Sequence, residues 1–292
     1  MKTRLLAGLT ALVLGAFTSS CSNILEENGV INNVAESGMG ELRINLSTDA
    51  SLNVSTKADV GITLNDEEKK KFVISGTMGS SSVSLGTFEE YVGEKTKTVA
   101  AGDYSSITAT YTSMGEGVVL NFNTPEFEGS TESSVKVEAN KQVDAAITAK
   151  LTNSIITVNS SAFDKLKETA NITELFVYSG DTEPTTTTGK FSLLSESNTL
   201  DTTKKLYVKS GKSNIHIVLK GTLNNDNSKA FSASANIIET GKTGTEPAKK
   251  YEVSYEFSDK NGSLGLDITV DGTVTPVIIK VEPINPYKSA TE

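Results

Sequence analysis

Leu42, Ile44 and Leu46 alternate with Glu41, Arg43, Asn45 and Ser47. A period of two sets one face of an extended strand against a core and the other in water. Alternation or a short apolar run recurs along the chain. It predicts strands over Lys71–Ser75, Val83–Phe88, Ser106–Tyr111, Val118–Phe122, Val135–Glu138 and Ala145–Leu151. It continues over Ile155–Asn159, Glu174–Tyr178, Lys205–Val208, Asn214–Leu219, Phe231–Ile238, Tyr251–Phe257, Leu264–Val270 and Val277–Val281. Turn residues punctuate them: Gly76, Asn224 to Asn227, Asn261-Gly262 and Asp271-Gly272. One segment reads as a helix, capped by Ser160 or Ser161, with Phe163 and Leu166 on one face and an end before Asn171. Asp181–Gly189 and Glu239–Lys250 read as exposed loops.

Many short strands separated by turns predict an all-β chain of two antiparallel β-sandwich domains with one short helix. The predicted division is 38–151 and 152–292. Residues 22–37, poor in apolar side chains, form a flexible tether before them.

The first 21 residues differ in kind. Lys2 and Arg4 precede the uncharged run Leu5–Phe17, followed by Thr18, Ser19, Ser20 and Cys21, the only cysteine. A basic start, a short apolar core and small residues describe a secretory signal peptide. The run is too short to span a bilayer, which takes ~20 residues. A cysteine behind the small residues resembles a bacterial lipoprotein signal, in which that thiol takes the lipid. Thr18 stands where Leu is usual, a looser version found in Bacteroidota. The resemblance implies an acylated (palmitate-type) Cys21, an outer-membrane anchor and exposure at the cell surface. Two or more acyl chains hold a protein on a membrane without a transmembrane helix.

Cleavage there would remove two bases and no acid, moving the net charge from −9 to −11. Such a chain lacks the cationic footprint of a nucleic-acid binder. With its one thiol acylated it would hold no intramolecular disulfide, so core burial must supply stability.

Sequence motifs in the first half narrow the fold. Ala101-Gly102-Asp103-Tyr104, then Ile107, Ala109 and Tyr111, resembles the hairpin lead-in of transthyretin-like and fimbrillin-like sandwiches. Pro125-Glu126-Phe127-Glu128-Gly129 resembles a segment that follows it in those proteins. With Gly40-Glu41-Leu42 and the stretch from Gly265 to Asp271, the order over about residues 38–282 resembles domain-of-unknown-function family 4493. That family comprises Bacteroidota surface lipoproteins related to fimbrial and adhesion proteins. It implies a structural or adhesive, fimbrillin-like role and no catalysis. A glycan-binding accessory lipoprotein is the alternative.

Candidate chemistry is sparse, and no cofactor or metal site is expected. His216 is the only histidine, alternates with Ile215 and Ile217, and is expected to face outward or toward a loop. A histidine metal site needs partners that are missing here, and no G-x-S-x-G nucleophile motif is present. Glu126 and Glu128 are two apart and would share a strand face, a solvated arrangement more than an acid–base pair. Asp259 to Ser263 begins like a calcium loop but lacks the glycine at the sixth position, so it reads as a hairpin turn. With no Trp, a sugar platform would fall to Tyr91, Tyr178 or Tyr287. Asp201-Thr202-Thr203 matches a short O-glycosylation pattern of Bacteroidota, which makes Thr202 a candidate acceptor. Arg43, the sole arginine after Arg4, is a candidate processing site on the first strand, where loss of the strand would open a groove. Charge on such a strand equally suits an edge that must refuse unwanted pairing.

Overall fold

The computed structural model describes residues 38–52, 62–224, 226–238, 241–260, 263–270 and 273–278. The signal, Cys21, the tether, both two-residue Asn261-Gly262 and Asp271-Gly272 turns, and Tyr287 lie outside them.

The first core is built by β1 (Met39–Asp49), β2 (Val73–Met78), β3 (Ser81–Thr87), β4 (Lys97–Ala100), β5 (Gly102–Tyr111), β7 (Phe127–Ser130), β8 (Val135–Val137) and β9 (Gln142–Leu151). The short β6 (Leu120–Phe122) and a one-turn helix α1 (Asp66–Lys69) also fall in this stretch. The strands run β3-β2-β5-β7-β9-β1-β4, with β8 also on β5. Leu42, Ile44, Ile74, Tyr104, Ile107, Phe127 and Ile147 fill one core. Burying each aliphatic side chain is worth about 1.5–3 kcal/mol.

The second core uses β10 (Ser154–Val158), α2 (Ser160–Thr169), β11 (Ala170–Ser179), β12 (Phe191–Ser192), β13 (Leu206–Val208), β14 (Ile215–Leu223), β15 (Asp226–Asn236), β16 (Lys250–Lys260), β17 (Ser263–Val270) and β18 (Thr273–Ile278). One sheet is β18-β17-β16-β10-β13-β6 and the other β12-β11-β14-β15. Leu206, Val208, Val253 and Tyr255 from the first pack with Val177, Ile215, Ile217 and Ala233 from the second in one cluster, the filling of a sandwich.

Four readings from the pattern need correction. The sheets are not wholly antiparallel: β1 runs parallel to β9 and β10 parallel to β16. Gly76 is no turn but lies inside β2, where an added β-carbon would come 2.5 Å from the Tyr104 ring. The cap of α2 is Asn159, whose side chain accepts from the Ala162 amide at 2.9 Å; Ser160 is already in the helix. The described part of the 239–250 loop is pinned, with Thr245 and Lys249 buried. The Asp181–Gly189 loop is mostly exposed as read, yet Glu183 reaches back to Lys190 and Lys220.

Candidate functional site

The chain passes from one core to the other through Thr152 and Asn153, between β9 and β10. Asn153 is fully buried. Its amide nitrogen donates to the Thr124 carbonyl at 2.9 Å, and its side-chain oxygen accepts from the Glu126 amide at 3.3 Å. Its own carbonyl accepts from the Ala248 amide at 3.1 Å. The Thr152 amide donates to the Glu126 carbonyl at 2.8 Å, and the Ser210 hydroxyl donates to the Thr152 carbonyl.

The pinned loop completes this seam. The Thr245 hydroxyl donates to the Lys209 carbonyl at 2.6 Å and accepts from the Lys212 amide at 3.0 Å. The Ser154 hydroxyl donates to the Glu246 carbonyl, and the Glu246 amide donates to the Tyr251 hydroxyl at 3.0 Å. Gly244 permits the contact, since a β-carbon there would meet the Gly211 carbonyl carbon at 2.7 Å. Four distant segments are thus joined by buried polar groups. Each such bond contributes about 0.5–1.5 kcal/mol net, but an orphaned partner would cost more.

Beside the seam lies a cleft of about 300 Å³ lined by Tyr111, Glu126, Glu128, Thr152, Lys209 and Ser210, among others. The Glu126 side chain is 12% exposed, and its Oε1 has no hydrogen-bond partner. Lys209 Nζ is 4.0 Å away. Burial pushes the Glu126 carboxyl above its usual range, against the pull of Lys209 and a backbone bond from Met114. Clefts with one perturbed carboxylate hold protons or small polar groups readily. Glu128, by contrast, is exposed on β7. Glu126 precedes that strand, so the two carboxylates share a cleft but not an environment.

Residues 38–283 match the family model described as Domain of unknown function (DUF4493). The chain belongs to this family. No curated protein matches it. Among solved structures, the fimbrial anchor protein Mfa2 from Porphyromonas gingivalis is similar at 9% identity, over 81% of this chain and 99% of that one, with a TM-score of 0.34. A fimbrial assembly protein from Parabacteroides distasonis is similar at 9% identity, over 83% and 98%, with a TM-score of 0.36. Similarity at this level speaks to neither ligand nor partner.

In this DUF4493 chain the other candidate residues lie apart. Arg43 stands opposite Asp144 in the β1–β9 ladder, and its guanidinium donates to both carboxylate oxygens, Nε to Oδ1 at 2.8 Å. β1 is not an edge over its first half, because β4 pairs with Met39–Leu42. A protease reaching the bond after Arg43 must first loosen β1 from β9. Thr202 is exposed in a turn fixed by Asp201, which accepts from the Thr203 amide and hydroxyl. Those bonds and Lys204 hold the Asp201 carboxyl down at about 2.

His216 is half-buried, not free on the surface. Its ring stacks on Tyr178 with centroids 5.1 Å apart, and burial lowers its pKa while Asp181 opposes. Tyr91 and Tyr178 are both buried, so neither offers a platform. Each described Tyr and Phe is buried or half-buried. Among the described residues no group of three His, Cys, Asp or Glu is placed to hold a metal ion. β16 and β17 pair up to Lys260 opposite Ser263; the turn read at the calcium-like stretch, Asn261-Gly262, lies outside the described residues. The seam itself was missed in the pattern. Asn153 beside Ser154, between two apolar strands, was its one visible trace.

Proposed function

We propose that this chain is a lipid-anchored protein of the outer-membrane surface with a structural or adhesive, fimbrillin-like role. One observation carries the reading: the lone Cys21, behind an uncharged apolar run and small residues, precedes in sequence a body made almost wholly of strands. A lipid at one end and a β-body beyond a tether suit display at a surface. The body is read as two sandwiches, 38–151 and 152–292, and the chain as non-catalytic. Glycan binding is the weaker reading, because the described aromatic rings are drawn inward. Thr202 is proposed as an O-glycosylation acceptor, supported by its exposure. Arg43 is proposed as a processing site only if β1 can be released.

One preparation tests these together. Protein purified from the outer membrane should have a mass that starts at Cys21 and includes acyl lipid. Sugar on Thr202 adds hexose-sized increments, and cleavage at Arg43 leaves a chain starting at Ile44. The variant Cys21→Ala should move to the soluble fraction. An unlipidated mass in chains that still begin before Arg43, or a variant that stays in the pellet after a high-salt wash, overturns the anchor.

A further inference from the structure

β10 pairs with β16 only as far as Val158 opposite Val253. The last bond runs from the Asn159 amide to the Val253 carbonyl at 2.8 Å. The chain then turns away as α2, while β16 continues to Lys260. Among the described residues, β16 from Ser254 onward has a strand neighbour on one side only, β17. Strand alternation turns the N–H and C=O groups of Tyr255 and Phe257, like those of Val253, to the open side.

Helix α2 stands beside this edge without sealing it. Among the described residues, no hydrogen bond joins Ser160–Thr169 to Ser254–Phe257. A groove of about 450 Å³ lies between them, within the ~300–1,000 Å³ of ligand sites. Ala162, Lys165, Leu166 and Thr169 line the helix side, spaced three and four apart on one face. Exposed edges are ordinarily blunted by charge, proline or a covering element. Here the cover stands off by a groove and leaves main-chain donors and acceptors at strand spacing.

We propose that this groove accepts an extended peptide segment of a partner protein, which adds as a strand to β16 beneath α2. The edge selects the occupant. A peptide backbone repeats its donors and acceptors at the spacing of β16, and main-chain bonds give affinity in strand addition. Three or four residues at ~3.4 Å each match residues 254–257. The lining mixes Leu166 with hydroxyls and charges, which suits a strand of alternating character and not an apolar helix.

The probe is a fluorescein-labelled, acetylated hexapeptide of alternating Thr and Val, added to the folded chain from residue 22 onward. Saturable binding is expected, with hydrogen exchange at the Tyr255 and Phe257 amides slowed at least tenfold. Ala162→Trp, which fills the groove, should weaken binding at least tenfold. The same peptide N-methylated at alternate residues should lose binding to the unaltered protein, a result that does not depend on the variant's folding. Absence of saturable binding, equal binding of the N-methylated peptide, or protection at another sheet edge overturns the proposal.

Discussion

Glu126 is the residue where the fold and the charge disagree. Its carboxyl is nearly enclosed, one oxygen lacks a partner, and Lys209 stands 4.0 Å off. Burial is the largest influence and raises its pKa. A carboxyl with a folded pKa above its unfolded value favours the folded state most below the unfolded value. That contribution disappears as pH rises through the folded value. At neutral pH the buried charge is therefore a cost. Glu126→Gln should raise the melting temperature at pH 7–8, and the gain should shrink to nothing near pH 4. A variant that is destabilised at pH 7–8 but not near pH 4 would show that the Lys209 contact outweighs the burial. The sequence placed Glu126 and Glu128 on one strand face because they are two apart. It could not reveal that β7 begins between them. For His216, alternation gave the correct face, opposite the buried Ile215 and Ile217. The overlying Asp181–Gly189 loop, with Glu183 tied to Lys220 at 2.6 Å, lies outside that pattern.

Strands were legible where apolar residues recur at every second position, as in β5, β9 and β14. They were hidden where few such residues exist. β4 reads Lys-Thr-Val-Ala, and Val99 is its one well-buried side chain. The parallel pairs were also hidden, because β1 meets β9 about a hundred residues away and no local signal marks partner or direction. Gly76 illustrates the converse error. A glycine between apolar segments reads as a turn, yet here it gives the Tyr104 ring room to cross β2. Gly76→Val should therefore push the ring off its rotamer and cost about 1–3 kcal/mol. For a domain of 150–250 residues that is roughly 2–4 °C of melting temperature per kcal/mol. Thermal unfolding followed by circular dichroism checks it; an unchanged midpoint would mean that Tyr104 repacks freely.

At the scale of the molecule, two apolar cores meet across a polar seam. The boundary is not clean: Leu120 packs in the second core, while Ile155 and Tyr207 pack in the first. β6 leaves its own half to pair with β13. These exchanges, with Asn153 and Thr245 between them, tie the stability of each half to the other. Composition and periodicity could suggest two sandwiches, but a seam of serines, threonines and one asparagine looks like ordinary linker chemistry. Satisfied buried polar networks fix one arrangement, and half-satisfied ones are costly. Asn153→Ala orphans the Glu126 amide and the Thr124 carbonyl, a loss of about 1–3 kcal/mol. The unaltered chain should melt in one calorimetric transition whose measured enthalpy equals the van't Hoff value. In Asn153→Ala the transition should broaden or divide, with amides of β5 and β14 exchanging through separate openings. Asn45→Ala, on an exposed face of β1, serves as the control and should leave one transition. If Asn153→Ala lowers the midpoint while a single transition persists, the cores are coupled through the exchanged apolar residues, and the polar seam adds only local stability.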